Sequence, residues 1–248
     1  NLLGTGSYIL TQTGNDITSL AATLTNAGAG LSFTDANTFA VTTVGSIGIT
    51  TKAGDVTLVG GTGVTSSGTG TITTTAGVDT STASGDVNIS VSGTGNISLL
   101  AAITTTGATH SAGNASDGGD VIISTNNGTV TTAAITASGG NATGGNGGAS
   151  GDVDITAGTT GTLSINGAIT ARAGTGGTPG ADGDLTLDNA GTLTQTSAIN
   201  VGGLELLGAG AVTLTDGANN IDTIAGNTTN TITYTDSNGF DVDTIGTN

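Results

Sequence analysis

The sequence predicts an all-β fold, a parallel β-helix (β-solenoid) with three short strands in each coil of about 32 residues and glycine-rich loops. The first observation is a Gly-Asp pair followed by alternating apolar residues. It occurs at Gly54-Asp55-Val56-Thr57-Leu58, Gly85-Asp86-Val87-Asn88-Ile89, Gly119-Asp120-Val121-Ile122-Ile123, Gly151-Asp152-Val153-Asp154-Ile155 and Gly183-Asp184-Leu185-Thr186-Leu187. From Asp to Asp (55, 86, 120, 152, 184) the steps are 31, 34, 32 and 32 residues. The second observation is composition: of 248 residues only 8% are charged and 2% aromatic, with 46 Gly and 1 Pro. Ordinary domains carry about 25% charged residues, and disordered chains lack the β-branched residues that recur here at period two. A solenoid resolves the shortage of large side chains, because each coil buries a few aliphatics and bonds its backbone to its neighbours.

The elements follow in order. Each Gly-Asp-Val/Leu segment reads as a first strand with one buried face. Val64, Ile97, Val130, Leu163 and Leu193, mostly introduced by Gly-Thr or Gly-Asn, mark a second strand. Ile72, Ile103, Ile135, Ile169 and Ile199, each followed by Thr or Asn, mark a third, in steps of 31, 32, 34 and 30 residues. Stretches such as Gly139-Gly140-Asn141-Ala142-Thr143-Gly144-Gly145-Asn146-Gly147-Gly148 then form a loop that absorbs the differences in length.

Residues 1–53 do not share the Gly-Asp-Val register and match the end of the chain instead. Leu2-Leu3-Gly4-Thr5-Gly6 returns as Leu206-Leu207-Gly208-Ala209-Gly210, and Asn15-Asp16-Ile17 as Asn219-Asn220-Ile221, both 204 residues on. Phe33-Thr34-Asp35-Ala36-Asn37-Thr38-Phe39 returns as Tyr234-Thr235-Asp236-Ser237-Asn238-Gly239-Phe240, 201 residues on. The expected division is therefore 1–53 as an aromatic-containing module, 54–204 as five Gly-Asp-Val-type coils, and 205–248 as the start of a second copy of the first. All five aromatics (Tyr8, Phe33, Phe39, Tyr234, Phe240) fall in this module. A wider coil with larger core residues is the expected reason. A chain that restarts its own sequence is expected to be a window on a longer tandem array, stacking end to end with further coils.

Charge narrows the partners. Two cations, Lys52 and Arg172, against 18 carboxylates give a net charge of -16. Nucleic acid is excluded, since binding there rests on Lys and Arg neutralising phosphates, and no apolar run is long enough to insert in a bilayer. Cysteine is absent, so no disulfide framework exists.

The succession G-D/N-V-x-I/L, G-T-L/I-x-I, A-I-T-x-x-G and a glycine-rich loop resembles filamentous-haemagglutinin-like bacterial exoproteins, as does the segment from Gly14-Asn15-Asp16-Ile17 to Thr34-Asp35-Ala36-Asn37. The resemblance implies a right-handed parallel β-helix, exported to the cell surface or medium by two-partner or autotransporter-type secretion. It implies a role as adhesin, stalk or extracellular scaffold, with surface glycans of host or neighbouring cells as possible ligands.

The residues themselves point to structure more than to chemistry. The stacked Asp55, Asp86, Asp120, Asp152 and Asp184 are expected to cap local turn N–H groups, although like charges about 5 Å apart repel by about 1 kcal/mol even in water. Calcium is the metal to consider, with Asp117 and Asp120, or Asp182 and Asp184, as candidate ligands; it needs about six to eight oxygens, and no D-x-D-x-D-G run is present. His110, the single histidine, reads as a solvated loop residue, since no nucleophile or orienting partner is evident. The glycine runs lack the Gly-Lys-Ser/Thr of a phosphate loop, so no catalytic residue and no organic cofactor is expected. A second functional reading is a threonine-ladder binding module for ice or glycan, in which Thr104-Thr105-Thr106 would lie beneath Thr73-Thr74-Thr75.

Overall fold

Alternation of apolar and small polar residues gives each strand one face to bury, and parallel stacking is how the chain buries it. Val56–Gly60 pairs in parallel with Val87–Val91, and the ladder continues through Val121–Thr125, Val153–Ala157 and Asp184–Asn189. Val56, Val87, Val121, Val153 and Leu185 stand directly above one another and are fully buried. The second strands build a separate nine-stranded parallel sheet that runs from Ser19–Leu20 through Gly63–Ser66 and Leu163–Ile165 to Ile232–Tyr234. Third strands, such as Ile72–Thr73, Ile103–Thr104, Ile135–Thr136 and Ile169–Ala171, stack in the same way. This computed structural model describes residues 1–78, 80 and 82–245, and among them the chain is all strand, turn and bend with no helix. The final three residues of the 205–248 segment lie outside the described residues.

First and third faces belong to one 17-stranded sheet. Ile199–Gly208 is the reason: its first half pairs with Ile169–Ala171 and its second half with Asp184–Asn189, so one long strand serves both faces. Asn220–Thr228 does the same one coil later.

Coil length is not uniform. Hydrogen-bonded counterparts in neighbouring coils are 31 to 34 residues apart in the middle of the chain. They are 23 and 24 apart near the start, at Ser7 with Gly30 and Thr38 with Thr62, and 19 and 20 apart near the end, at Thr186 with Glu205 and Asn200 with Asn220. The aromatic-containing coils are thus narrower than the others, not wider as their composition suggested. What they lack is the loop. In the central coils the chain leaves after the third strand and returns at a glycine whose N–H closes the neck: Gly85 to the Thr74 carbonyl at 3.2 Å, Gly119 to Thr105 at 2.8 Å, Gly151 to Ala137 at 2.8 Å and Gly183 to Ala171 at 3.1 Å. A closed neck isolates the coil from the length of the excursion. Two-residue and three-residue insertions therefore leave the register untouched.

The loops are themselves stacked. Gly107 N donates to Ser138 O, His110 N to Asn141 O, Ala115 N to Asn146 O and Gly118 N to Ala149 O, at 2.8 to 2.9 Å, and the next coil repeats the arrangement from Gly139 to Arg172 and Ala142 to Thr175. Glycine is what allows it: a Cβ on Gly174 would lie 1.7 Å from the Gly140 carbonyl oxygen. Glycine richness here signals close backbone approach, not flexibility.

The interior is a column of aliphatics, with a buried threonine rank where third strand meets neck. Thr51, Thr74 and Thr105 are buried, and each hydroxyl donates to the carbonyl of the returning glycine, Gly54, Gly85 and Gly119. Thr132 is different. Its Oγ1 is fully buried, level with Ile165 in the next coil, and has no hydrogen-bond partner among the described residues. Thr132→Val keeps the shape and removes an unsatisfied hydroxyl, so the variant is expected to be as stable as the parent or more so, by up to about 1 kcal/mol. A lowered melting temperature would show that the hydroxyl has a use.

Candidate functional site

The repeated Gly-Asp places one carboxylate at the start of each first strand, and parallel stacking lines the five up. The first four then accept the backbone N–H of the aspartate one coil later: Asp55 Oδ1 from Asp86 N at 3.0 Å, Asp86 from Asp120, Asp120 from Asp152 and Asp152 from Asp184, each at 2.9 Å. The carboxylates therefore clip coil to coil rather than capping their own turns, as the sequence alone had suggested. A charge-assisted bond of this kind is stronger than a neutral one. It offsets the repulsion within the column.

The repulsion still shows. Burial, with the neighbouring charges of Asp120 and Asp55, holds the Asp86 carboxyl above its ordinary value of 3.8, against the bond from Asp120 N–H. Burial and the charges of Asp152 and Glu205 raise Asp184, and burial with Asp152, Asp120 and Glu205 raises the outward-facing Asp154. Asp236 goes the other way: burial pushes it up, but the Asn238, Ile221 and Gly239 N–H groups and the Tyr234 hydroxyl hold it below 3.8. A carboxyl raised in the folded state contributes stability that is complete below its unfolded value and is lost as pH rises through its folded value. A depressed one contributes above its unfolded value and loses that contribution as pH falls through its folded value. The melting temperature should therefore rise on acidification from about pH 7 towards pH 4, then fall as Asp236 is protonated. A flat or falling profile between about pH 7 and 5 would show that the ladder carries no net electrostatic cost.

The candidate calcium ligands are spoken for individually. Asp117 Oδ1 accepts Ala149 N at 2.7 Å and Asp120 Oδ1 accepts Asp152 N. Asp182 accepts Ala173 N and pairs with Arg172 at 2.7 Å, and Asp184 takes the Gly203 N–H. Among the described residues no group of three or more His, Cys, Asp or Glu side chains converges. Arg172 ties the last loop to the coils beyond it through Asp182, Asp222 at 2.8 Å, Asn200 Oδ1 and the Asn220 carbonyl. His110 Nδ1 accepts the Gly113 N–H at 2.9 Å and so shapes its own loop turn. The shallow recess beside it, about 200 Å³, is lined among the described residues by Val78, Thr109, Ser111, Asn141 and Thr143.

No protein-family model, curated protein or solved structure matches the chain.

The duplicated module yields a corner that the sequence did not reveal as such. Asn15 Nδ2 bridges the carbonyls of Leu10 and Thr34, both at 3.0 Å, while Asp35 accepts the N–H groups of Ile17 and Asn37, both at 2.9 Å. Asn219 bridges Leu214 and Thr235, and Asp236 accepts Ile221 and Asn238. Phe33 meets Phe39 edge to face at 5.1 Å, and Tyr234 meets Phe240 at 5.2 Å. The copies do not sit on the same face. Phe33 pairs with Leu58 in the first-strand stack, whereas Tyr234 pairs with Leu214 in the second. The module is translated along the axis and rotated by one face, because a strand–corner–strand unit is complete in itself and fits any corner; Phe240 is exposed where Phe39 is buried.

The threonine triplets also resolve differently. Thr73 and Thr104 face outward in a rank with Thr23, Thr50, Thr136 and Thr170, but Thr74 and Thr105 point into the core. Period-two alternation would have separated them. Repetition of Thr concealed it.

Proposed function

We propose that the chain is a structural β-solenoid segment, right-handed, of a large bacterial cell-surface adhesin or extracellular fibre, serving as stalk or matrix scaffold. The observation that carries this reading is the carboxylate ladder: the most chemically capable groups of the repeat are bonded to the backbone of the next coil. Loops, corners and strands all bond along one axis in the same way, which suits a rod that bears load lengthwise. Right-handedness follows the general preference of parallel strand connections. Inward apolar positions left exposed at the two terminal coils, Leu10 level with Phe33 at one and Val242 level with Ile224 at the other, suit further stacking of coils, through backbone bonds across open strand edges. Export to the surface and any glycan ligand rest on the sequence resemblance. Electron microscopy of the native gene product tests the reading: rods whose length grows by the expected rise of about 4.8 Å per coil support it, and a compact globular particle overturns it.

A further inference from the structure

The coil segregates its charge. Among the described residues no strand of the nine-stranded second face contains Asp, Glu, Lys or Arg; their carboxylates lie on the first face, in loops and at corners. Along the middle of this face each coil runs polar, apolar, polar, as Thr129-Val130-Thr131, Thr162-Leu163-Ser164 and Thr192-Leu193-Thr194, with Val130, Leu163 and Leu193 buried. Val130 N donates to Thr162 O at 3.0 Å and Leu163 N to Thr192 O at 2.9 Å. Thr131, Ser164 and Thr194 are in direct register, and the rank continues through Thr213 and Thr233. The six side chains thus form two parallel ranks, about 4.8 Å apart from coil to coil and about 6.6 Å apart along the strand. Their hydroxyls donate to no protein group among the described residues. The third face is different over the same coils, since Thr104, Thr136 and Thr170 each follow an Ala two residues earlier, as in Ala134-Ile135-Thr136, and offer one rank only; a second Thr appears there only at Thr71-Ile72-Thr73.

Threonine is stiff at χ1, so methyl and hydroxyl repeat as regularly as the backbone that carries them. Water bound to such a surface is held at sites that repeat with the coil, and no charge disrupts it. The geometry points to the second face as an ice-binding surface, a docking plane for crystalline water, whose oxygen rows repeat on a comparable length scale. A polysaccharide suits it poorly: Phe39 and Tyr234, the aromatics of these strands, lie at inward positions opposite Val64 and Leu214, and the net charge of -16 repels anionic glycans.

The inference is independent of the stalk reading and has its own test. The purified chain is equilibrated with slowly growing polycrystalline ice, and its partition into the ice and its thermal hysteresis are measured. The parent is expected to enter the ice. Thr131→Lys with Thr194→Lys should lose most of that adsorption, whereas Thr104→Lys, on the third face, should retain it; circular dichroism checks that each is folded. Should the double variant fail to fold, Thr194→Lys alone, at an exposed position, is expected to show the same loss. Exclusion of the folded parent from ice, equal loss in Thr104→Lys, or a concentration-dependent dimer that buries this face would each overturn the proposal.

Discussion

Gly119→Val is expected to destabilise the central coils by about 3 kcal/mol or more, enough to abolish cooperative melting of the segment around it. A Cβ at this position would lie 2.3 Å from the Gly85 carbonyl oxygen and 2.7 Å from its carbon. The obstacle is backbone, which cannot swing aside as a side chain can. Relief would require Gly119 to move away from Gly85, and that would strain the neck bond from Gly119 N to Thr105 O and the Thr105 hydroxyl bond to the Gly119 carbonyl and break the clip from Asp120 N to Asp86 between the coils. In a solenoid each coil is stabilised chiefly by its neighbours, so loss at one interface propagates. Gly68→Ala is the control, because a Cβ there meets nothing within 4 Å; it should melt within about 0.5 kcal/mol of the parent. Chemical denaturation of both variants decides the matter. Similar stability for the two would mean that the Gly in Gly-Asp is retained for some reason other than contact between coils.

That contrast also explains what was legible in the sequence. The period, the three strand positions and the inward residues could be read because Val, Ile and Leu recur where burial demands them, and a parallel stack repeats the demand in every coil. Gly119 and its counterparts were visible as punctuation, yet the sequence does not say whether a glycine marks a turn, a flexible loop or a close approach. Only the stacked backbone distinguishes Gly119 from Gly68. The carboxylate column was likewise legible as a column, but not its bonding: an aspartate bonds a local N–H or one a coil away with equal chemistry, and the choice depends on rise and twist. Local similarity between residues 2–39 and 206–240 was clear, while its shift by one face was not. That shift depends on how many strands lie between the two copies, and the joining of two faces in Ile199–Gly208 leaves no mark on apolar periodicity.

Asn219→Ala is expected to cost about 3 kcal/mol, and Asn15→Ala at the equivalent corner only about 1 kcal/mol. The two side chains share a motif but not a neighbourhood. Asn15 is half-buried and bridges two carbonyls, Leu10 and Thr34. Asn219 is fully buried, bridges Leu214 and Thr235, exchanges two hydrogen bonds with the Gln195 amide at 2.8 and 3.0 Å, and accepts the Ile199 N–H at 2.9 Å. The last bond matters most. In the coils below, the corresponding N–H groups of Ile72, Ile103, Ile135 and Ile169 donate to the backbone carbonyls of Ala102, Ala134, Ala168 and Ala198. At Ile199 the next coil presents a side-chain amide in that place. Truncation to Ala would strand a buried N–H together with the Gln195 amide, and a buried group left without a partner costs about 1 to 3 kcal/mol. Hydrogen exchange reads this directly: the Ile199 amide should exchange much faster in Asn219→Ala, and the Ile169 amide, bonded to Ala198, should change little. Undiminished protection at Ile199, or equal losses for the two asparagines, would mean that the corner is held by its aromatic pair and not by its amide.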